Sequence, residues 1–192
     1  MRSRAFVILP GSYIFLALGI LLVPLPWLTA WLIAAAVHEL FHILALRLFG
    51  YPVEQIEIGM SGAKIKTCGL SGLRMSACAL AGPLGGFLLL LFLRIAPRIA
   101  LCGAIQGLYN LLPIRSLDGE KALRGIVEHY LPPRSAERLL NTVENCVLLL
   151  VTICCLYAAV KLRLGIYPVI AAALLIVRNK KIPCKATAGR VQ

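Results

Sequence analysis

The sequence predicts an all-α polytopic membrane protein, with about six transmembrane helices and a small membrane-associated β-hairpin between helices 2 and 3. Hydrophobic residues make up 60% of the 192 residues, and the mean hydropathy is +0.87. Soluble domains are only about half apolar, so a soluble core of this size would leave much apolar surface in water. Lipid removes that problem, and the apolar residues are grouped into segments of the kind that cross a bilayer.

Six apolar segments support this fold class. The first has Arg2 and Arg4 in front of it and no small-residue cleavage site after it, so it is interpreted as a retained membrane helix rather than a signal peptide. The last three are shorter than the roughly 20 residues of a full span, which is typical where a helix end lines a polar cavity. The segments are approximately residues 6–23, 28–49, 75–93, 99–112, 147–160 and 164–177.

Basic residues indicate the orientation of these spans. With the N-terminus in the cytoplasm, the outward loops hold only Arg94, Arg98, Lys161 and Arg163, and every other Lys and Arg faces inward. Cytoplasmic loops are enriched in Lys and Arg, so we predict a multi-pass protein of the cell membrane with both termini in the cytoplasm. Topology accounts for the net charge of +12, and we expect no nucleic-acid binding.

Two connections between the spans are long. In the first, residues 53–58 and 63–67 are predicted to form paired strands, because Glu54 and Glu57 on one arm face Lys64 and Lys66 on the other. The second, residues 119–144, is polar and basic, and two prolines at 132–133 predict a break between two surface helices. Residues 1–178 are thus predicted to form one transmembrane domain, and residues 179–192 a short, basic, disordered cytoplasmic tail.

The strongest chemical signal is the pattern H-E-x-x-H at residues 38–42, inside an otherwise apolar helix. Positions i and i+4 lie on one helix face, so His38 and His42 can both reach one zinc ion. Glu39 projects about 100° away from His38 and is suited to act as general base on a metal-bound water. Ionisable groups at membrane depth are costly, so three within five residues indicate a function.

Zinc in a catalytic site needs a third protein ligand and an open position for water. The third histidine of the chain, His129, falls in the polar connection, whereas Asp118 follows the fourth apolar segment. In the predicted topology Asp118 lies at the same depth as His38 and His42, which makes it the candidate third ligand. The alternative is that Asp118 only N-caps the following helix.

Three motifs in this order resemble the site-2 protease family of intramembrane metalloproteases, over residues 28–120. The first is His38–His42, and the second is the small-residue segment Gly82–Gly86. The third, Asn110–Gly119, is similar to the family pattern N-x-x-P-x-x-P-L-D-G, except that Ser116 replaces the second proline. Local backbone differences are therefore expected there. The six-span layout most resembles the stage IV sporulation protein FB group.

The resemblance implies a role for each matching residue. His38, His42 and Asp118 would bind one Zn²⁺, and Glu39 would be the general base. Asn110 would hydrogen-bond the substrate or the developing oxyanion, although a plain interhelical hydrogen bond is an equal alternative. Gly82 and its neighbouring glycines would allow close helix packing.

The family also implies a substrate. It would be a transmembrane or membrane-tethered protein, such as a sporulation sigma-factor precursor, with possible membrane regulatory or inhibitory proteins; the oligomeric state is not predicted. The competing hypothesis is a non-proteolytic membrane zinc-binding protein or transporter. Transporters usually distribute their ionisable groups along a path on several spans, whereas here these groups concentrate at one place.

Overall fold

The computed structural model describes residues 6–59 and 62–161, together with residue 173. Six helices and a three-stranded sheet make up this part of the chain. In order they are β1 (Phe6–Ile8), α1 (Pro10–Leu22), α2 (Leu25–Leu48), β2 (Gln55–Gly59), β3 (Gly62–Lys66), α3 (Gly72–Leu88) with a 3₁₀ turn (Leu89–Phe92), α4 (Pro97–Asn110), α5 (Asp118–Tyr130) and α6 (Pro133–Lys161).

Three helices in the described residues are long and apolar enough to cross a membrane: α2, α3 with its 3₁₀ turn, and α6. Helices α1 and α4 have 13 and 14 residues, which at 1.5 Å per residue spans about 20 Å, short of the roughly 30 Å hydrocarbon layer. The predicted segment at residues 164–177 lies outside the described residues, as does the predicted tail. The structure thus supports a membrane protein with three candidate spans in the described residues, and the six predicted spans stay a prediction.

The predicted hairpin is present, but it belongs to a larger sheet. Strands β2 and β3 are antiparallel, and Glu57 forms an ion pair with Lys66 across them. Strand β1 adds in parallel to β2, so the sheet order is β1-β2-β3. The sequence prediction placed residues 6–8 inside a helix, and this was wrong because a short apolar run does not distinguish strand from helix. Pro10 then begins α1.

The second long connection also differs from its prediction. Helix α5 is the expected surface helix, but the next helix begins at Pro133 and continues without interruption to Lys161. The prolines separate α5 from α6 because proline is well suited to the first turn of a helix and poorly suited to its interior. The hydropathy boundary near residue 147 therefore marks a change of environment along one helix rather than the start of a helix.

Helix α3 lies at the centre and contacts α2, α4 and α5. The buried side chains are mostly small, and Pro83 of α3 is the largest fully buried one in the described residues. Large apolar side chains such as Leu22, Leu91 and Ile95 lie on the outside, with 74%, 79% and 83% of their surface exposed. Small residues inside and large apolar residues outside are typical of helices packed in lipid.

Candidate metal centre

Helix α2 and the start of α5 bring three potential ligands together. The Nε2 atoms of His38 and His42 are 3.2 Å apart, and Oδ2 of Asp118 lies 3.0 Å from each of them. His38 and Asp118 are buried, and His42 is half-buried. Within the described parts of the chain, this is the one group of three or more His, Cys, Asp or Glu side chains able to hold a metal ion.

The three donor atoms fit zinc in their chemical type and in the distances between them. Two imidazole nitrogens and one carboxylate oxygen are among the ligands of catalytic zinc sites, which leave a fourth position open. With zinc–ligand distances of about 2.0–2.1 Å, neighbouring donor atoms of a tetrahedral site are about 3.3 Å apart. The observed separations of 3.0–3.2 Å therefore require only small adjustments of these side chains.

The two histidines differ in their second nitrogen. His42 Nδ1 donates a hydrogen bond to the Cys78 carbonyl of α3, at 2.8 Å. This bond orients the ring and would leave Nε2 as the atom that binds a metal, which is the usual support for a metal-ligating histidine. His38 Nδ1 is buried and has no hydrogen-bond partner in the described residues, so packing and the contacts of Nε2 orient that ring.

Asp118 is the first residue of α5, and its carboxylate contacts His38, His42 and Lys121. The N-cap position is Leu117, with no side-chain cap bond, so the N-cap alternative for Asp118 was wrong. Its Oδ1 instead accepts a hydrogen bond from Lys121 at 2.8 Å. Burial alone would raise the pKa of Asp118, but the hydrogen bonds with His38 and His42 outweigh it and hold the pKa well below its usual range. The carboxylate is thus ionised, as a metal ligand must be.

A tight turn brings Asp118 to this position. Ser116 has φ 76°, a left-handed conformation that proline, fixed near −65°, does not adopt. The serine that departs from the family pattern therefore accompanies a turn that the pattern's proline would not permit. On the other side of Asp118, a Cβ at Gly119 would stand 2.1 Å from the Leu111 carbonyl oxygen, so only glycine allows this close approach to the end of α4.

Gly82 of α3 lies next to both histidines of the centre. A Cβ at this position would lie 2.2 Å from His42 Nε2 and 2.7 Å from His38 Nε2. The sequence singled out Gly82 for helix packing, but in the structure its missing side chain leaves the space next to both histidine nitrogens. Lys121 was not predicted as part of the site; its position at i+3 from Asp118 on a helix was the available signal.

Glu39 and Asn110, the two residues predicted to take part in catalysis, form no hydrogen bond with the three ligand candidates. Glu39 is half-buried and forms no hydrogen bond or ion pair with the described residues, although the charges of His42, His38 and Asp118 act on its carboxyl group. Asn110 is half-buried at the last position of α4, and its side chain makes no hydrogen bond to the three ligand candidates. The catalytic roles of both residues stay predictions.

Comparison with solved structures finds a similar fold, whereas comparison by sequence finds no relative. No family model matches the sequence, and no curated protein matches it at a significant level. The fold is similar to that of a site-2 protease from Methanocaldococcus jannaschii, with a TM-score of 0.63 and 15% sequence identity, covering 95% of this chain and 94% of that one. At this identity the match establishes a shared fold over nearly the whole chain.

Proposed function

We propose that this protein is an intramembrane zinc metalloprotease that hydrolyses peptide bonds of membrane-tethered substrates. The observation that carries the proposal is the meeting of His38 and His42 with Asp118, which is 80 residues away from His38 in the sequence. The shared fold with a site-2 protease supports the same function. We propose that the chain belongs to that family and, from its predicted six-span layout, that it is most similar to the sporulation protease group.

His38, His42 and Asp118 would hold the ion, with Lys121 keeping the second oxygen of Asp118 directed away from it. A bound Zn²⁺ would lower the pKa of water and polarise the scissile carbonyl. Glu39 has no competing partner in the described residues, so its carboxylate can take the proton of the attacking water and deliver it to the leaving amine. Asn110 would hydrogen-bond the substrate or the developing oxyanion, unless it serves helix packing alone.

A transmembrane substrate must unwind locally before it can be cut, because a helix engages its own carbonyl groups. We propose that the unwound segment adds as a strand to the sheet. The order β1-β2-β3 leaves the outer edges of β1 and β3 without a neighbouring strand in the described residues. Ile56 is paired on both sides, with Phe6 and Ile65, so a proline there would disrupt the sheet itself. Among the described strands, Ile65 in β3 is paired on one side only, with Ile56. Ile65→Pro should abolish cleavage while leaving zinc binding intact, and unchanged cleavage would contradict strand addition at β3.

The predicted orientation, with cytoplasmic termini, would place the site toward the cytoplasmic face. Cleavage would then release a cytoplasmic product, as in regulated proteolysis of a tethered transcription factor. A sporulation sigma-factor precursor is the substrate that we propose from the resemblance to the sporulation protease group. Membrane proteins that inhibit or regulate the protease are proposed on the same ground.

The test is co-expression of the full chain with tethered precursors, comparing wild type with Glu39→Gln. We expect the substitution to abolish cleavage, a loss of at least about 100-fold for a general base, while the purified variant keeps one zinc per chain. Glu137→Gln, an exposed glutamate on α6, is the matched control and should cleave normally. Zinc movement across the membrane that survives Glu39→Gln, with no cleavage by wild type, would instead favour the transporter hypothesis.

A further inference from the structure

Helix α6 carries a buried carboxylate that the metal centre does not use. Glu144 is 5% exposed, and its Oε1 accepts a hydrogen bond from the backbone N–H of Arg115 at 2.8 Å. Its Oε2 lies 3.4 Å from Nη2 of the same arginine. A buried carboxylate is costly unless it is paired, and an ionisable residue within a candidate membrane span indicates a function.

The partner of Glu144 belongs to the turn that delivers Asp118. Arg115 lies between α4 and α5, three residues before Asp118, and is followed by Ser116, the one non-glycine residue with a left-handed φ in the described chain. Such a conformation costs of order 1 kcal/mol or more and persists only where surrounding contacts enforce it. The hydrogen bond that Glu144 accepts from the Arg115 N–H holds the peptide between residues 114 and 115, one residue before this strained position.

A second residue of α6 strengthens the attachment. Arg115 Nη2 donates a hydrogen bond to Oδ1 of Asn141 at 2.9 Å. Two residues of α6, one turn apart, therefore bind the backbone and the side chain of Arg115. The other contacts of α6 with a neighbouring element are mainly with α5, the helix that begins with Asp118. The bonds to Arg115 are the hydrogen bonds by which α6 reaches the turn that precedes the third ligand.

We infer that Glu144 is a positioning residue for the metal centre. Through Arg115 it holds the 111–117 turn in the conformation that presents the Asp118 carboxylate to His38 and His42. The packing of α6 against the bundle and the affinity of the centre for metal are therefore linked. The inference rests on the proposed function, since it assumes that these three side chains bind a metal.

The test measures metal affinity rather than stability. Full-length protein in detergent micelles, stripped of metal, is titrated with Co²⁺, whose visible absorption reports the number and geometry of its ligands. Glu144→Leu removes both interactions with Arg115 at similar volume and should weaken Co²⁺ binding by about 10- to 100-fold, the usual effect of losing a residue that orients a ligand. Glu144→Gln keeps an oxygen that can accept the Arg115 N–H, so a smaller loss, about three- to tenfold, is expected.

The matched control is Glu137→Leu, an exposed glutamate two turns earlier on α6, which should bind Co²⁺ as wild type does with an unchanged spectrum. A folded Glu144→Leu variant that melts earlier but keeps wild-type affinity and spectrum would overturn the inference, because a merely structural role predicts that result. If the leucine variant does not fold, wild-type affinity in Glu144→Gln overturns it instead. Failure of the wild-type protein to bind Co²⁺ or Zn²⁺ stoichiometrically would overturn the proposed function, and this role with it.

Discussion

Replacing Gly82 by alanine should destroy the metal centre with the smallest change in composition. The added Cβ would lie 2.2 Å from His42 Nε2, 2.5 Å from His42 Cε1 and 2.7 Å from His38 Nε2. Favourable contacts between such atoms are at about 3.5–4.0 Å. The imidazoles or the two helices must therefore move by about 1 Å, and movement of the rings takes Nε2 away from the position at which it meets Asp118.

The effect on function should be large because a metal site tolerates little displacement of its ligand atoms. Zinc–ligand distances are held to within about 0.2 Å, and a displacement of about 1 Å at a reacting group costs about 100-fold in rate. We therefore expect Gly82→Ala to lower zinc affinity and proteolytic rate by at least about 100-fold. The assay is zinc content after dialysis against a weak chelator, followed by cleavage of a co-purified substrate at saturating zinc.

Gly103→Ala is the matched control for this substitution. Its Cβ would meet Leu89 Cδ1 at 2.7 Å and the Gly86 carbonyl oxygen at 2.8 Å, so it strains the contact between α3 and α4 without touching the histidines. We expect a lower melting temperature but an unchanged zinc content in the folded protein. A Gly82→Ala protein with one zinc per chain and wild-type activity would refute the reasoning, since α3 could not then lie against both ligand nitrogens.

Two further substitutions test the surroundings of Asp118. Ser116→Gly removes the cost of a left-handed backbone conformation at a non-glycine residue, so the melting temperature should stay equal or rise slightly. Ser116→Pro is incompatible with φ 76° and should destabilise the fold by more than about 1 kcal/mol and lower the zinc content. Equal melting temperatures of the glycine and proline variants would contradict this turn. Lys121→Met removes the partner of Asp118 Oδ1, and because the lysine side chain is 51% exposed the stability should change by less than about 1 kcal/mol. Zinc affinity, measured by titration against a competing chelator, should fall by up to about tenfold. A much larger loss would contradict the view that Lys121 only orients the carboxylate.

The parts of the metal centre that follow from helix geometry could be predicted from the sequence. His38 and His42 share a face because the helical period places i and i+4 together, and Asp118 was predicted from the depth of the fourth apolar segment. The contacts of Glu144 could not be predicted in this way. They depend on how α6 packs against a turn about 30 residues earlier, and no local pattern encodes that distance.

The errors in the fold have physical reasons of the same kind. Hydropathy marks where a chain changes its surroundings, and it does not mark where hydrogen bonding ends, so α6 begins at Pro133 rather than near residue 147. The first apolar segment likewise contains a strand and a short helix, because pairing of β1 with β2 depends on a partner about 50 residues away. Sequence alone predicts apolar segments better than it predicts spans.

Helix α3 shows why packing and chemistry are difficult to separate in this molecule. In lipid, helices gain little from burying apolar surface against one another, and close approach through small residues replaces that force. Gly86 serves this purpose, since a Cβ there would lie 2.5 Å from the Gly103 carbonyl oxygen of α4. Gly82, one turn earlier on the same helix, meets the ligand nitrogens of α2 instead of a backbone. The same small-residue surface therefore sets the distance between the helices and leaves the space in which a metal ion would fit.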